Sequence, residues 1–392
     1  MGGYQTEDLR NLALVGHAGA GKTTLAEALL QRAGAVTAAG SVERGNTVSD
    51  YDPLEKAHQH SLNSKVLSFE YQATQINLLD TPGYPDLMGR ALAVLPAVET
   101  VAIVINAQSG VQMVAQRMME WTKARGLDRM LIVNQIDAEQ ADPDGCLGQI
   151  RELFGTECLP LNLPARRGQA VIDCFFNHSG EATDFSSVSQ AHTEIVDQVV
   201  EVDEKLMEVY LEQGETLSHE QLHDPFEQAL REGHLVPVCF VSARSGAGLD
   251  ELLRVFKRLL PNPTEGNPPQ FLKGTGDGAE PYQVTPDPGG HALAHVFKVA
   301  IDPFVGRMGL FRIHQGTVTK DSQLFVGHGR KPFKVGHLFK LFGKDPLEVE
   351  RGIPGDICAV AKVDEVYFDA VLHDSHDEDH IHLRSLSLPL PM

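Results

Sequence analysis

Four short stretches of this chain combine residue types and spacings suited to holding a phosphorylated ligand. The first, Gly16-His17-Ala18-Gly19-Ala20-Gly21-Lys22-Thr23-Thr24, has the spacing G-x-x-x-x-G-K-[ST] between an apolar run and a helical pattern. Its glycines let backbone N–H groups converge on phosphate oxygens, and the helix behind adds a positive dipole end. Lys22 is placed to reach the outer phosphates, and the Thr23 hydroxyl to ligate Mg²⁺. The second stretch is Asp80-Thr81-Pro82-Gly83. Its carboxylate suits a Mg²⁺ held through water, and the Gly83 N–H a terminal phosphate. Taken alone, that tetrapeptide is equally a plain turn.

The other two stretches bear on the base. Asp137, in Asn134-Gln135-Ile136-Asp137, can accept two hydrogen bonds from the N1–H and exocyclic amine of guanine. Adenine would leave that acid unpaired and be rejected. Ser242-Ala243-Arg244 can offer the Ala243 N–H to guanine O6. Each tetrapeptide is weak by itself. In this order, at successive strand ends, they imply a site for GTP and GDP.

The elements needed to position these residues are legible as alternating strands and helices. Leu12–Val15, Val66–Tyr71, Ile76–Leu79, Val101–Ile105, Leu131–Val133 and Val236–Val241 are apolar runs suited to buried strands. Helices are expected from near Gly21, over Val111–Arg125 and over Leu249–Leu260. This alternation predicts an α/β fold with a mostly parallel sheet and ligands at the carboxyl ends of its strands. Between Pro160 and His234 the alternation stops, except for a helical stretch from Glu194 to Tyr210. The division expected is therefore a P-loop domain over 1–160 and 235–262 with a subdomain inserted at 161–234. Residues 263–290 read as a Pro/Gly-rich extended linker. Short β-rich pieces between Gly turns then predict an antiparallel β-barrel domain over 291–385.

Composition narrows the function classes. A net charge of −20 argues against indiscriminate nucleic-acid binding and against a DNA partner. The barrel segment His291–Val360 runs the other way, with ten Lys/Arg against six Asp/Glu. Five cysteines without a CxxC pair fit reduced thiols, and no run is long and apolar enough for a membrane span. The expectation is a soluble cytoplasmic monomer. His373, His376, His380 and His382 among Asp374, Asp377, Glu378 and Asp379 could bind a transition metal or simply form an acidic surface hairpin; the hairpin is the expectation.

The motifs resemble those of the translational GTPases, most closely elongation factor G and the elongation-factor-G-like proteins. The likeness runs through the P-loop, Asp80–Leu87, Asn134–Asp137 and Ser242–Gly246 into the barrel stretch His295–Lys298 and Asp302–Arg307, nearly the whole chain. It implies a ribosome partner, contacted through rRNA phosphate by barrel cations such as Lys298, Arg307, Arg312, Lys331, Lys334 and Lys340. Solvated surface charge is the plainer reading of any one of them. Elongation factor G continues through three further domains, so residues 386–392, ending Pro389–Met392, read as the start of a linker to missing ones.

By the same resemblance, Ser61 falls where a switch hydroxyl joins Thr23 and Asp80 at the metal; a solvated loop serine is the alternative. Four departures from the family pattern stand out: His58-Gln59-His60 before Ser61 instead of an Arg-Gly pair, Tyr84 for a His, Gln135 for a Lys and Gly19 for an Asp. Binding survives all four. The resemblance implies GTP hydrolysis on the ribosome, with Lys22 and Gly83 on the phosphates and Tyr84 or a ribosomal group positioning water. Tyr84 could equally pack or shield the site. The runner-up is a slow or non-hydrolysing GTP switch, and a metabolic P-loop ATPase is a third class.

Overall fold

The computed structural model describes residues 3–177, 180, 182–213, 217–302, 306–375 and 380–384. From the N-terminus come β1 (Leu9–Val15), α1 (Lys22–Arg32), α2 (Pro53–His58), β2 (Lys65–Tyr71), β3 (Thr74–Asp80) and α3 (Met88–Leu92). Next are β4 (Thr100–Asn106), α4 (Met113–Ala124), β5 (Asp128–Asn134), α5 (Pro143–Phe154) and β6 (Cys158–Pro160). The pair β7 (Asn162–Ala165) and β8 (Ala170–Asp173) precedes α6 (Val188–Val200), α7 (Glu204–Gln213), α8 (His219–Glu232), β9 (Val236–Phe240) and α9 (Leu249–Arg258).

The strands order as β2-β3-β1-β4-β5-β9-β6, parallel except for β2, which runs antiparallel to β3. Every residue of β1 is buried. Successive side chains alternate, so Leu12 and Leu14 join one core layer while Ala13 and Val15 join the other. The first layer holds Leu25 and Leu29 of α1 together with Val188, Ile195, Val199 and Phe226 of α6 and α8. Helices α6 and α8 therefore share a core with the sheet. The expected single helix over Glu194–Tyr210 is two helices: α6 ends at Val200, and Asp203 accepts from the Lys205 and Leu206 N–H groups to start α7 afresh.

The remaining chain is antiparallel. It comprises β10 (Phe271–Lys273), β11 (Glu280–Tyr282), β12 (Leu293–Asp302), β13 (Gly306–Gln315), β14 (Val318–Thr319), β15 (Gln323–Val326) and β16 (Phe333–Lys334). After these come β17 (Leu338–Phe342), β18 (Asp345–Val349), β19 (Arg351–Gly352), β20 (Ile357–Ala361), β21 (Val371–His373) and β22 (Ile381–Leu383). Barrel strands run β16-β15-β21-β12-β13-β20-β17, and β17 pairs with β2 at Phe342 and Leu67. Phe297, Met308, Leu310, Ile357 and Ala359 of the barrel complete the second core layer of the parallel sheet.

Several expectations need correction. The Pro/Gly-rich stretch is not simply extended: β10 pairs with β11 and with β22, and Phe271 is buried there. The acidic hairpin reading fails at His373, which is a buried residue of β21. His376 and residues 377–379, Pro303–Val305 and Pro389–Met392 lie outside the described residues. Among the described residues no group of three or more His, Cys, Asp or Glu is placed to hold a metal.

Three of the six barrel cations are also not surface charges. Arg312 pairs with Glu99 at 2.6 Å, Lys340 with Asp356 at 2.7 Å, and Lys298 donates to the Ser64 carbonyl. Burying apolar surface at the seam forces these polar groups inward, where each needs a partner. Lys334 is exposed and pairs with Asp321. All five cysteines are buried free thiols, with burial pushing Cys146, Cys158 and Cys174 up to about 12.

Candidate nucleotide cleft

The segments that follow β1, β3, β5 and β9 surround one cleft, with a part of about 390 Å³ and an adjoining part of about 910 Å³. The smaller part is lined by Ala18, Gly19, Gly21, Lys22, Thr23, Thr24, Asp50, Ser61, Gly83 and Tyr84. Gly21, Thr24, Glu43 and Gln135 border both. The larger part adds Asn134, Asp137, Ala243 and Arg244.

The P-loop bends where only glycine fits. At Gly16 (φ 134°) a Cβ would lie 2.3 Å from the Val104 carbonyl oxygen. At Gly21 (φ 84°), the residue capping α1, it would lie 2.6 Å from Asn134 Nδ2. The sequence spacing thus encodes a backbone shape. Lys22 is buried and donates to the Gly16 and His17 carbonyls at 2.8 and 3.0 Å. Burial pushes its pKa down to about 8, opposed by Asp80 and Asp50. The Ala18 N–H donates to the Gly83 carbonyl at 2.9 Å, so the Asp80–Gly83 turn presses its carbonyl against the P-loop. His17 and Ala20 instead border a small cavity behind the loop.

Beneath the cleft floor, Thr23 Oγ1 donates to Asp80 Oδ2 at 2.8 Å and lies 3.1 Å from Ser61 Oγ. Burial, then Asp50, pushes the Asp80 carboxyl up to about 7, against Thr23 and Lys22. Asp50, a residue the sequence reading missed, is 3% exposed and stands beside Ser61 in the lining. Both of its carboxylate oxygens and Asp80 Oδ1 are buried with no partner within hydrogen-bond distance. The Ser61 and Ser49 hydroxyls nonetheless lie near enough to hold the Asp50 and Asp80 carboxyls, respectively, down against burial. Orphaned carboxylate oxygens beside two hydroxyls form a donor set of hard oxygens, which fits Mg²⁺. No signal in the sequence marked Asp50, because it lies in a polar segment without periodicity.

On the base side, Asn134 donates to the Ala20 carbonyl at 3.0 Å and accepts the Ala243 N–H at 3.1 Å. The Ala243 N–H expected to meet O6 is thus engaged by Asn134 in this structure. Gln135, in the left-handed region at φ 65°, donates to the Gly19 carbonyl and accepts from Asn106. Ser242 is fully buried and its hydroxyl accepts the Ser245 N–H, so it shapes the turn and does not line the cleft.

With the geometry in place, the comparisons with known proteins are specific. Residues 7–262 match the model for the elongation factor Tu GTP binding domain, and residues 291–369 match elongation factor G domain 2. The chain belongs to the elongation-factor-G-like translational GTPases. An elongation factor G-like protein of Mycobacterium tuberculosis is 32% identical over 412 residues, covering 98% of this chain and 57% of that protein. Its counterpart in Thermotoga maritima is 28% identical over 405 residues, covering 100% and 57%. A crystal structure of a Thermus thermophilus protein superposes with a TM-score of 0.80 at 32% identity, covering 94% of this chain and 55% of that one. The chain therefore spans a little over half the length of these relatives.

For an elongation-factor-G-like GTPase, membership implies guanine-nucleotide binding. Tyr84 is 44% exposed, and its ring tilts over His60 with centroids 4.6 Å apart. His60 in turn sits 5.6 Å from His58. His60 and Tyr84 thus form an aromatic rim at the phosphate side of the cleft.

Proposed function

We propose that this chain is the nucleotide domain and barrel of an elongation-factor-G-type factor that binds GTP with Mg²⁺, docks on the ribosome and hydrolyses the γ-phosphate there. One observation carries the reading: a single cleft joins Asp137 and Asn134 on one side to Lys22, Thr23 and Asp50 on the other, with the open Oδ1 of Asp80 beneath Thr23. Lys22 would exchange its two carbonyl contacts for phosphate oxygens, gaining charge-assisted bonds in place of neutral ones. Asp137 reads the guanine edge. Thr23, Ser61, Asp80 and Asp50 are the residues that would hold Mg²⁺, which when bound neutralises phosphate charge. Tyr84, which lines the rim, would orient water by its hydroxyl.

Among the described residues no helix is long and apolar enough to cross a membrane, and a monomer in the cytoplasm suits the family. Exposed Arg307, Lys331 and Lys334 remain as barrel cations for RNA phosphate.

The slow-switch reading also has support, from Tyr84 and from the Gly83 carbonyl that occupies the Ala18 N–H. Nucleotide turnover by the full-length protein, with and without ribosomes, separates the two. Ribosome-stimulated GTP turnover is expected. Tight GTP binding without stimulated turnover would establish the switch, and tighter ATP than GTP binding would sink the base-recognition argument.

A further inference from the structure

The five residues from Ser61 to Lys65 carry the switch hydroxyl, yet they form neither helix nor sheet until β2 begins at Lys65. Something else must hold them. The N–H groups of Leu62 and Asn63 both donate to Glu55 Oε1, each at 3.0 Å. Glu55 is fully buried on α2, and its other oxygen pairs with buried Lys65 at 2.8 Å. Helix α2 ends in Gln59 at φ 55°, which folds the chain back so that this loop returns to the helix's own carboxylate. The carbonyls are held from outside: Arg90 of α3 donates to the Leu62 carbonyl and to Asn63 Oδ1, and Lys298 of barrel strand β12 donates to the Ser64 carbonyl. Ser64 Oγ donates back to the Arg90 carbonyl at 2.9 Å.

We propose that Glu55, Arg90 and Lys298 form a clasp that positions Ser61 beside Thr23, so that order at the cation site depends on the seating of the barrel and of helix α3. Three elements far apart in sequence converge on one short segment, and each grips a different backbone group. Glu55 is the keystone, since it pairs with Lys65 and is the carboxylate that offsets the cations around Lys298. Without it buried Lys65 would lose its ion-pair partner beside Lys298 and Arg90, and unpaired buried charge is strongly destabilising. Burial, reinforced by Lys65 and Arg90, already pushes the Lys298 ammonium down to about 7, with Glu55 opposing. Because Ser61 is read as a cation ligand, the clasp gives the GTP site a mechanical input from the barrel. These are positioning residues; none of the three lines the cleft.

The test is amide hydrogen exchange of the segment 58–65 in the full-length protein without nucleotide, comparing wild type with Glu55→Gln, Lys298→Met and Lys298→Arg. Lys334→Met, on an exposed barrel lysine, serves as the control. Loss of a charge-assisted bond should speed exchange of Leu62 and Asn63 roughly tenfold in Glu55→Gln and Lys298→Met. Lys298→Arg and Lys334→Met should remain near wild type. A second readout is the Mn²⁺ concentration that half-saturates the GTP complex, expected to rise several-fold in the two loosened variants while GDP affinity moves less than about twofold. Unchanged exchange in both variants overturns the clasp. Loosening by Glu55→Gln alone overturns the barrel's share of it. Should the wild type fail to bind GTP, the functional reading falls while the exchange comparison still decides the clasp.

Discussion

The two ends of the parallel sheet treat charge in opposite ways. At the carboxyl ends of the strands, Asp50 and Asp80 have oxygens without partners, and Lys22 is satisfied only by backbone carbonyls. At the barrel-facing seam nearer the amino ends, charges are bound up with one another. Arg312 forks onto Glu99 and also reaches the Ala97 carbonyl, while Asn11 bridges Glu99 to the Gly355 carbonyl and accepts from Asn77. Both sets are buried, so burial alone does not mark function. What differs is satisfaction: Arg312, Glu99, Asn11 and Asn77 close their hydrogen bonds on one another and on backbone, whereas Asp50 and Asp80 keep oxygens open to a ligand that brings its own charge.

The largest effect that could break this contrast is at Lys22. If its carbonyl contacts are placeholders for phosphate, Lys22→Met should weaken GTP binding by about 10³-fold, about 4 kcal/mol, with little change in folding stability. Fluorescent-nucleotide titration and urea unfolding together check both halves. A variant that unfolds but binds normally when folded would make Lys22 a structural lysine.

Glu99→Ala probes the other end. Leaving Arg312 buried and unpaired should cost about 3–4 kcal/mol of stability, while GTP affinity measured below the unfolding transition should stay within about twofold. Denaturant midpoints read the first and titration the second. A large affinity loss in the folded variant would show that the seam and the cleft are not separable.

How much of this was legible beforehand follows the same division. The P-loop spacing dictates its own backbone, because Gly16 and Gly21 sit where a Cβ would strike Val104 and Asn134. Strand runs such as Val101–Ile105 are buried on both faces and read directly as apolar stretches. The seam was illegible. Glu99 and Arg312 are 213 residues apart, and in a strand of mixed character Arg312 looks like any surface cation. Asp50 and Glu55 lie in a polar segment whose meaning comes from tertiary neighbours, Asp80 for one and Leu62 and Asn63 for the other. The helix break at Asp203 escaped for a related reason, since a side-chain bond to the backbone overrode an uninterrupted apolar spacing.

A third, smaller effect sharpens the comparison. Asp128, at the first residue of β5 and thus at the opposite end of the sheet from the cleft, is also a buried carboxylate with both oxygens unpartnered. Burial, then Glu99, raises it to about 7, while Arg231 and Arg129 oppose. Its folded pKa lies above the unfolded value, so the folded state holds the extra proton between about pH 4 and 7. Stability from this group therefore falls as pH rises through that window and stays low above it. Asp128→Asn should abolish that slope and raise stability at pH 8 by up to about 4 kcal/mol, with little difference at about pH 4. Urea midpoints at the two pH values decide it, and equal gains at both would assign the effect to packing.

The smallest expected effect concerns the rim of the cleft. Tyr84 is half-exposed and leans on His60, so replacing it disturbs no core packing. A phenol hydroxyl cannot match an imidazole as a proton acceptor. Tyr84→His should thus raise ribosome-stimulated GTP turnover by up to about tenfold, about 1.4 kcal/mol in barrier height, while leaving GTP affinity unchanged. The gain should appear in kcat and should fade below about pH 6 as the imidazole protonates. Single-turnover rates across roughly pH 5.5–8 measure it. An unchanged rate would mean that Tyr84 only shields the cleft and that the water is positioned from elsewhere, with His60, its ring neighbour, the next residue to replace.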